Sequence, residues 1–149
     1  MYLDEPVSKW PPLRVTWSKD PDGRDWAFDG DPPEWAAPVG KLRLGSALTA
    51  EIHAHLIYAR KIDCVEELRE GAIDDKIEDV INHWKDGDAL TPPVLRIVEI
   101  NGVKKIDIAD GNHRFNVAHL TGEIKITFLA SPVDSASLEA LIPSLVWKP

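Results

Sequence analysis

The run Ile106-Asp-Ile-Ala-Asp-Gly-Asn-His-Arg-Phe-Asn-Val-Ala-His-Leu-Thr-Gly122 decides how this chain folds. It opens inside a strand that returns from Lys104 to Ala109, rich in β-branched residues. The strand enters Asp110-Gly111 without a linker, and residues 112–121 then read as a helix closed by Thr121-Gly122. Strand, glycine turn and helix in direct succession put the positive end of a helix, with N–H groups that have no partner inside it, at the tip of a strand.

Working outward, Val94 to Ile100 is another β-branched run, and Asn101-Gly102 carries the side chains of a type I′ turn, so 94–109 is predicted to be a β-hairpin. Pro92-Pro93 blocks helix before it, and Ile124 to Ala130 supplies a last strand. Upstream, Asp74-Asp75 starts a helix whose apolar stripe is Ile73, Ile77, Val80, Ile81 and Trp84, stopping at Gly87. Lys41 to Leu44 reads as a short strand. Ser46 reads as the cap of a helix to about Arg60, with Leu48, Ile52, Leu56 and Ala59 on one face. The fold class is therefore α/β (α+β): one small domain over 41–132 with a mixed sheet. An irregular extension (1–40) precedes it, and a tail (133–149) with one short helix through Leu138, Leu141, Ile142 and Leu145 follows.

With 149 residues and 44% hydrophobic content, one closed core is the expectation. No apolar run approaches the ~18 residues of a membrane span, and the first residues lack the pattern of a signal peptide, so a cytoplasmic protein without membrane partners is expected. The lone Cys64 excludes an internal disulfide and reads as a small apolar residue. The net charge of −8, from 25 acidic and 17 basic side chains, argues against general nucleic-acid binding but leaves room for a small nucleotide held by local donors. The extension holds seven of twelve prolines and four of six tryptophans, Trp10, Trp17, Trp26 and Trp35, expected to drape over the domain or onto a protein partner. Within it, Asp20 to Asp25 followed by Asp29, Asp31 and Glu34 resembles part of a calcium loop without its ligand order, and reads as an Asp/Gly turn. His53 and His55 diverge on a helix, so a zinc pair between them is not expected.

The chemistry concentrates at Asp110 to Arg114. Gly111 permits a left-handed backbone and close ligand approach, and Asn112, His113 and Arg114 add donors in the first helical turn. That suits a di- or triphosphate. Asp110 is suited to orienting Arg114 or His113, or to holding Mg²⁺ against phosphates. The plainer alternative is a structural Asp-Gly turn in which Asp110 pairs with Arg114. His119, seven residues after Asn112, either flanks this site or packs in the core.

Pro93-Val-Leu, the hairpin, the 106–122 run and the strand Ile124 to Leu129 together resemble the core of the ParB/sulfiredoxin superfamily, with Gly111, His113, Arg114, Ala118 and Gly122 on the family's marks. The resemblance spans about residues 61–131. It implies a nucleotide site, but sulfiredoxin chemistry lacks its nucleophile, because Asn112 stands where the family's cysteine would be. The 19 residues after Ala130 cannot hold the helix-turn-helix and dimerisation domains of the segregation proteins. What remains resembles the free-standing members, including kinases of free serine with an Asp-Gly-x-His-Arg turn and small proteins credited with nucleotide hydrolysis or nuclease activity. The resemblance then implies ATP, ADP or CTP with Mg²⁺. It also implies nucleotide contacts from Gly111, Asn112, His113 and Arg114, a metal ligand in Asp110, and catalysis by Asp110, His113 and an upstream glutamate. Glu70 stands in the comparable place for that base, with Glu66 and Glu67 competing. Two function classes stay open: a phosphoryl-transfer or nucleotide-hydrolysing enzyme, and a non-catalytic module that recruits a protein through residues 1–40. A nuclease ranks third, since Lys104, Lys105, Arg114 and Lys125 make a sparse basic surface. Homodimer formation is left open.

Overall fold

The computed structural model describes residues 2–18, 33–36, 41–71 and 74–149. In chain order these form β1 (Arg43–Leu48), α1 (Thr49–Ala54), α2 (Val65–Gly71), α3 (Asp74–Lys85), β2 (Val94–Ile100), β3 (Val103–Asp110), α4 (Asn112–Leu120), β4 (Lys125–Ala130), α5 (Ser135–Leu141) and β5 (Val146–Trp147), with short 3₁₀ turns between them. The strands make one mixed sheet in the order β3-β2-β4-β1-β5. The β2–β3 hairpin turns on Asn101 and Gly102, both at positive φ (52° and 78°), as a type I′ turn requires. β2 runs parallel to β4, while β4–β1 and β1–β5 are antiparallel. This is the α/β arrangement expected from the residue pattern.

Alternation along the strands sorts side chains onto two faces. One face carries Ala47, Leu95, Ile106, Ile108, Ile126 and Phe128, covered by Ile52 of α1, Leu68 of α2, Ile77, Val80, Ile81 and Trp84 of α3, Phe115 and Val117 of α4 and Leu138 of α5. In α3, Ile77, Ile81 and Trp84 are wholly buried, each stabilising the domain by about 1.5–3 kcal/mol. The other face is a small cluster of Leu42, Leu44, Val94 and Leu129, with Trp35 packed against it. Beside it Asp107 is buried and gripped by Arg60 Nε at 3.0 Å and Arg96 Nε at 3.2 Å.

The extension is packed where it is described. Trp10 is buried and donates from Nε1 to the Tyr2 carbonyl (2.8 Å). Trp17 meets Trp84 edge-on at 5.1 Å, and Trp84 Nε1 donates to the Thr16 carbonyl. Trp26 and the Asp20–Asp31 turn lie outside the described residues. Cys64 is half-buried, its thiol 3.6 Å from Glu67 Oε1.

The helix expected from Ser46 to Arg60 is corrected. Ser46 lies in β1 opposite Thr127, within a six-residue antiparallel pairing; only Thr49–Ala54 is α-helical, with a separate 3₁₀ turn at Tyr58–Arg60. Leu48, Ile52 and Leu56 do recur every four residues, but continuous pairing of 43–48 with β4 outweighs that local spacing. Past His55 the chain docks on the β3 edge. The Ile57 N–H donates to the Ile106 carbonyl (2.9 Å), and the Ile106 N–H donates to that of His55 (2.8 Å). The tail also contributes more than a helix: β5 pairs Val146 with Ser46 and Trp147 with Gly45. Among the described residues no helix is long and apolar enough to cross a membrane.

Candidate functional site

The β3–α4 junction is built by two local devices. The β2–β3 register slips between Val94 and Leu95, leaving Ala109 as the extra residue of a bulge immediately before Asp110. Bulges bend a strand and re-aim the side chains beside them. Next, Gly111 adopts φ +84°, the left-handed region, and its carbonyl accepts the Phe115 N–H at 2.9 Å to start α4. A Cβ there would lie 2.8 Å from Pro93 Cα and 2.8 Å from Arg114 Nη2. Glycine is therefore required twice, by conformation and by space.

The junction opens into a cavity of about 240 Å³ lined by Asp110, Gly111, His113 and Arg114, with Lys76, Asp79, Val80 and His83 of α3 and Leu90 completing the wall. Arg114 Nη2 lies 3.6 Å from Asp110 Oδ1, both side chains one-fifth exposed. His83 Nδ1 lies 3.0 Å from Asp88 Oδ2. Two basic side chains, two histidines and two carboxylates thus share one pocket at the positive end of α4, in a chain that is acidic as a whole.

The expected site residues separate into those in the pocket and those outside it. Asp110, Gly111, His113 and Arg114 line it together. Asn112 does not. Its Oδ1 and backbone carbonyl both accept from Nδ2 of the wholly buried Asn116, at 2.9 Å each, a bond that ties the first turn of α4 to the core. Glu66, Glu67 and Glu70 are exposed on α2, which packs on the Tyr2–Asp4 turn, and none lines the pocket. His119 is also absent from the wall and stacks on His53 instead. Sequence reading missed Lys76, Asp79 and His83. Their spacing of three and four marks a polar stripe beside the apolar one on α3, and that stripe was the available signal.

Comparison with known proteins gives no match: no protein-family model fits the chain, and no curated protein or solved structure is significantly similar to it.

Proposed function

We propose that the pocket between α3 and the β3–α4 junction binds the phosphates of a nucleotide, ATP, ADP or CTP, and that the protein transfers or hydrolyses a phosphoryl group there, as a domain of ParB/sulfiredoxin type. The observation that carries this reading is Gly111. Its left-handed backbone, packed too closely on Pro93 and Arg114 to admit a Cβ, turns β3 directly into a helix N-terminus whose first turn lines the pocket with His113 and Arg114. A pocket of ~240 Å³ suits the phosphates, with the nucleoside lying outside it.

In this reading Arg114 and Lys76 bind phosphate oxygens, Arg114 as a planar fork and Lys76 as a point charge. The donor set also fits Mg²⁺, because Asp110 and Asp79 bring hard carboxylate oxygens to one pocket. Such an ion, held by Asp110, would neutralise charge developing on the phosphoryl oxygens. Asp79 is the carboxylate placed to take a proton from the acceptor hydroxyl or water, since Glu70 sits on α2 outside the wall. His113 lines the same pocket and serves as a donor or proton carrier.

Arg114→Ala should weaken nucleotide binding by about 2–3 kcal/mol, roughly 30- to 150-fold, in calorimetric titration. Unchanged affinity would remove the reading. Asp79→Asn should keep binding and lose turnover. Loss of turnover in Glu70→Gln instead would move the base to α2.

A further inference from the structure

At the opposite end of α4, three side chains distant in sequence converge. The His119 ring, in the helix's last turn, stacks on that of His53 in α1, with centroids 4.4 Å apart and planes inclined by 21°. Asp63, from the segment leading into α2, places Oδ1 3.1 Å from His53 Nε2. One nitrogen of each imidazole and one carboxylate oxygen all lie within 4.8 Å of one another.

We propose that His53, Asp63 and His119 bind a single divalent first-row transition ion of the zinc kind. Two imidazoles and one carboxylate form a borderline donor set, suited to zinc and its neighbours rather than to Mg²⁺ or Ca²⁺, which take oxygen shells. His53 Nε2 is buried, and Asp63, although near, is not aligned to hydrogen-bond with it. A metal bond would satisfy that ring nitrogen. The C-terminal end of a helix also favours positive charge, the reverse of the phosphate end.

Zinc bonds of about 2.0–2.2 Å at a tetrahedral angle set donor atoms about 3.3 Å apart. Donors now within 4.8 Å of one another must therefore close in by up to about 1.5 Å, and the two rings leave their stack. Asp63, with its side chain 66% exposed, has the freedom to follow. Three protein ligands leave a coordination position open for water or substrate. The site is separate from the phosphate pocket: none of its residues lines that cavity, and Asn112 to His119 spans about 10 Å along the helix.

The test is titration of the full chain with Zn²⁺ by calorimetry, and with Co²⁺ as a visible probe, in wild type, Asp63→Asn, His119→Gln and His55→Gln. The expected result is one ion per chain, a four- or five-coordinate Co²⁺ spectrum, and shifted ring-nitrogen resonances for His53 and His119. Affinity should fall more than about tenfold in Asp63→Asn and His119→Gln and hold in His55→Gln. Asp63 is exposed, so its variant keeps the fold in which binding is read. Absence of binding, or binding that survives both ligand variants, would overturn the proposal.

Discussion

The two ends of α4 make opposite use of one nine-residue helix. Its N-terminus rises from a bulged strand through a left-handed glycine into the pocket shared by Lys76, His113 and Arg114, the arrangement proposed to take phosphates. Its C-terminus carries His119 against His53 and Asp63, the donors proposed to hold a metal cation. Between them Phe115, Asn116, Val117 and Ala118 are wholly buried, so the core fixes both ends at once. The helix dipole has the right sign at each end, and the side chains supply the specificity that a dipole lacks.

The contrast can be broken most strongly at Gly111. Gly111→Ala imposes a left-handed conformation on a residue with a Cβ and drives that atom against the Pro93 backbone, so stability should fall by about 3 kcal/mol in urea unfolding. A loss below about 1 kcal/mol would mean that the junction relaxes freely and is no rigid cradle. A smaller effect is expected at Asn116, which links the first turn to the core. Asn116→Ala should cost about 1–2 kcal/mol and weaken whatever binds at the N-terminal end, leaving zinc binding at the other end intact. Equal losses at both ends would show that α4 responds as one unit.

The smallest effect is a slope with pH. Burial, with the charge of His53 added, lowers the His119 pKa on folding, so the unfolded chain binds this proton more readily. The stabilising contribution is complete above the unfolded value of about 6.5 and is lost as the pH falls toward the lower folded value. Urea midpoints should therefore drop from about pH 7.5 to pH 5.5, and less steeply in His119→Gln. Identical slopes would place the acid sensitivity elsewhere.

Much of the fold is legible in the residues because its signals are local. Asn101-Gly102 allows one turn type, the α3 stripe recurs at helical spacing, and Asp110-Gly111 can only join a strand to something new. What was hidden depends on partners far along the chain. Ser46 resembles a helix cap until β4 pairs with it, and a two-residue strand such as Val146–Trp147 exists only because β1 is beside it. The site divides the same way. Asp110, Gly111, His113 and Arg114 are contiguous and could be read together, whereas Lys76, Asp79 and His83 join them only through the packing of α3 on α4. His53, read beside His55, gave no reason to expect His119.

The most direct measurement is calorimetric titration of the wild-type protein with ATP, ADP and CTP in turn, with and without Mg²⁺. One of them is expected to bind with micromolar affinity, one per chain, more tightly when Mg²⁺ is present. No heat from any of the three would contradict it and leave the Asp110–Arg114 turn a purely structural corner of the fold.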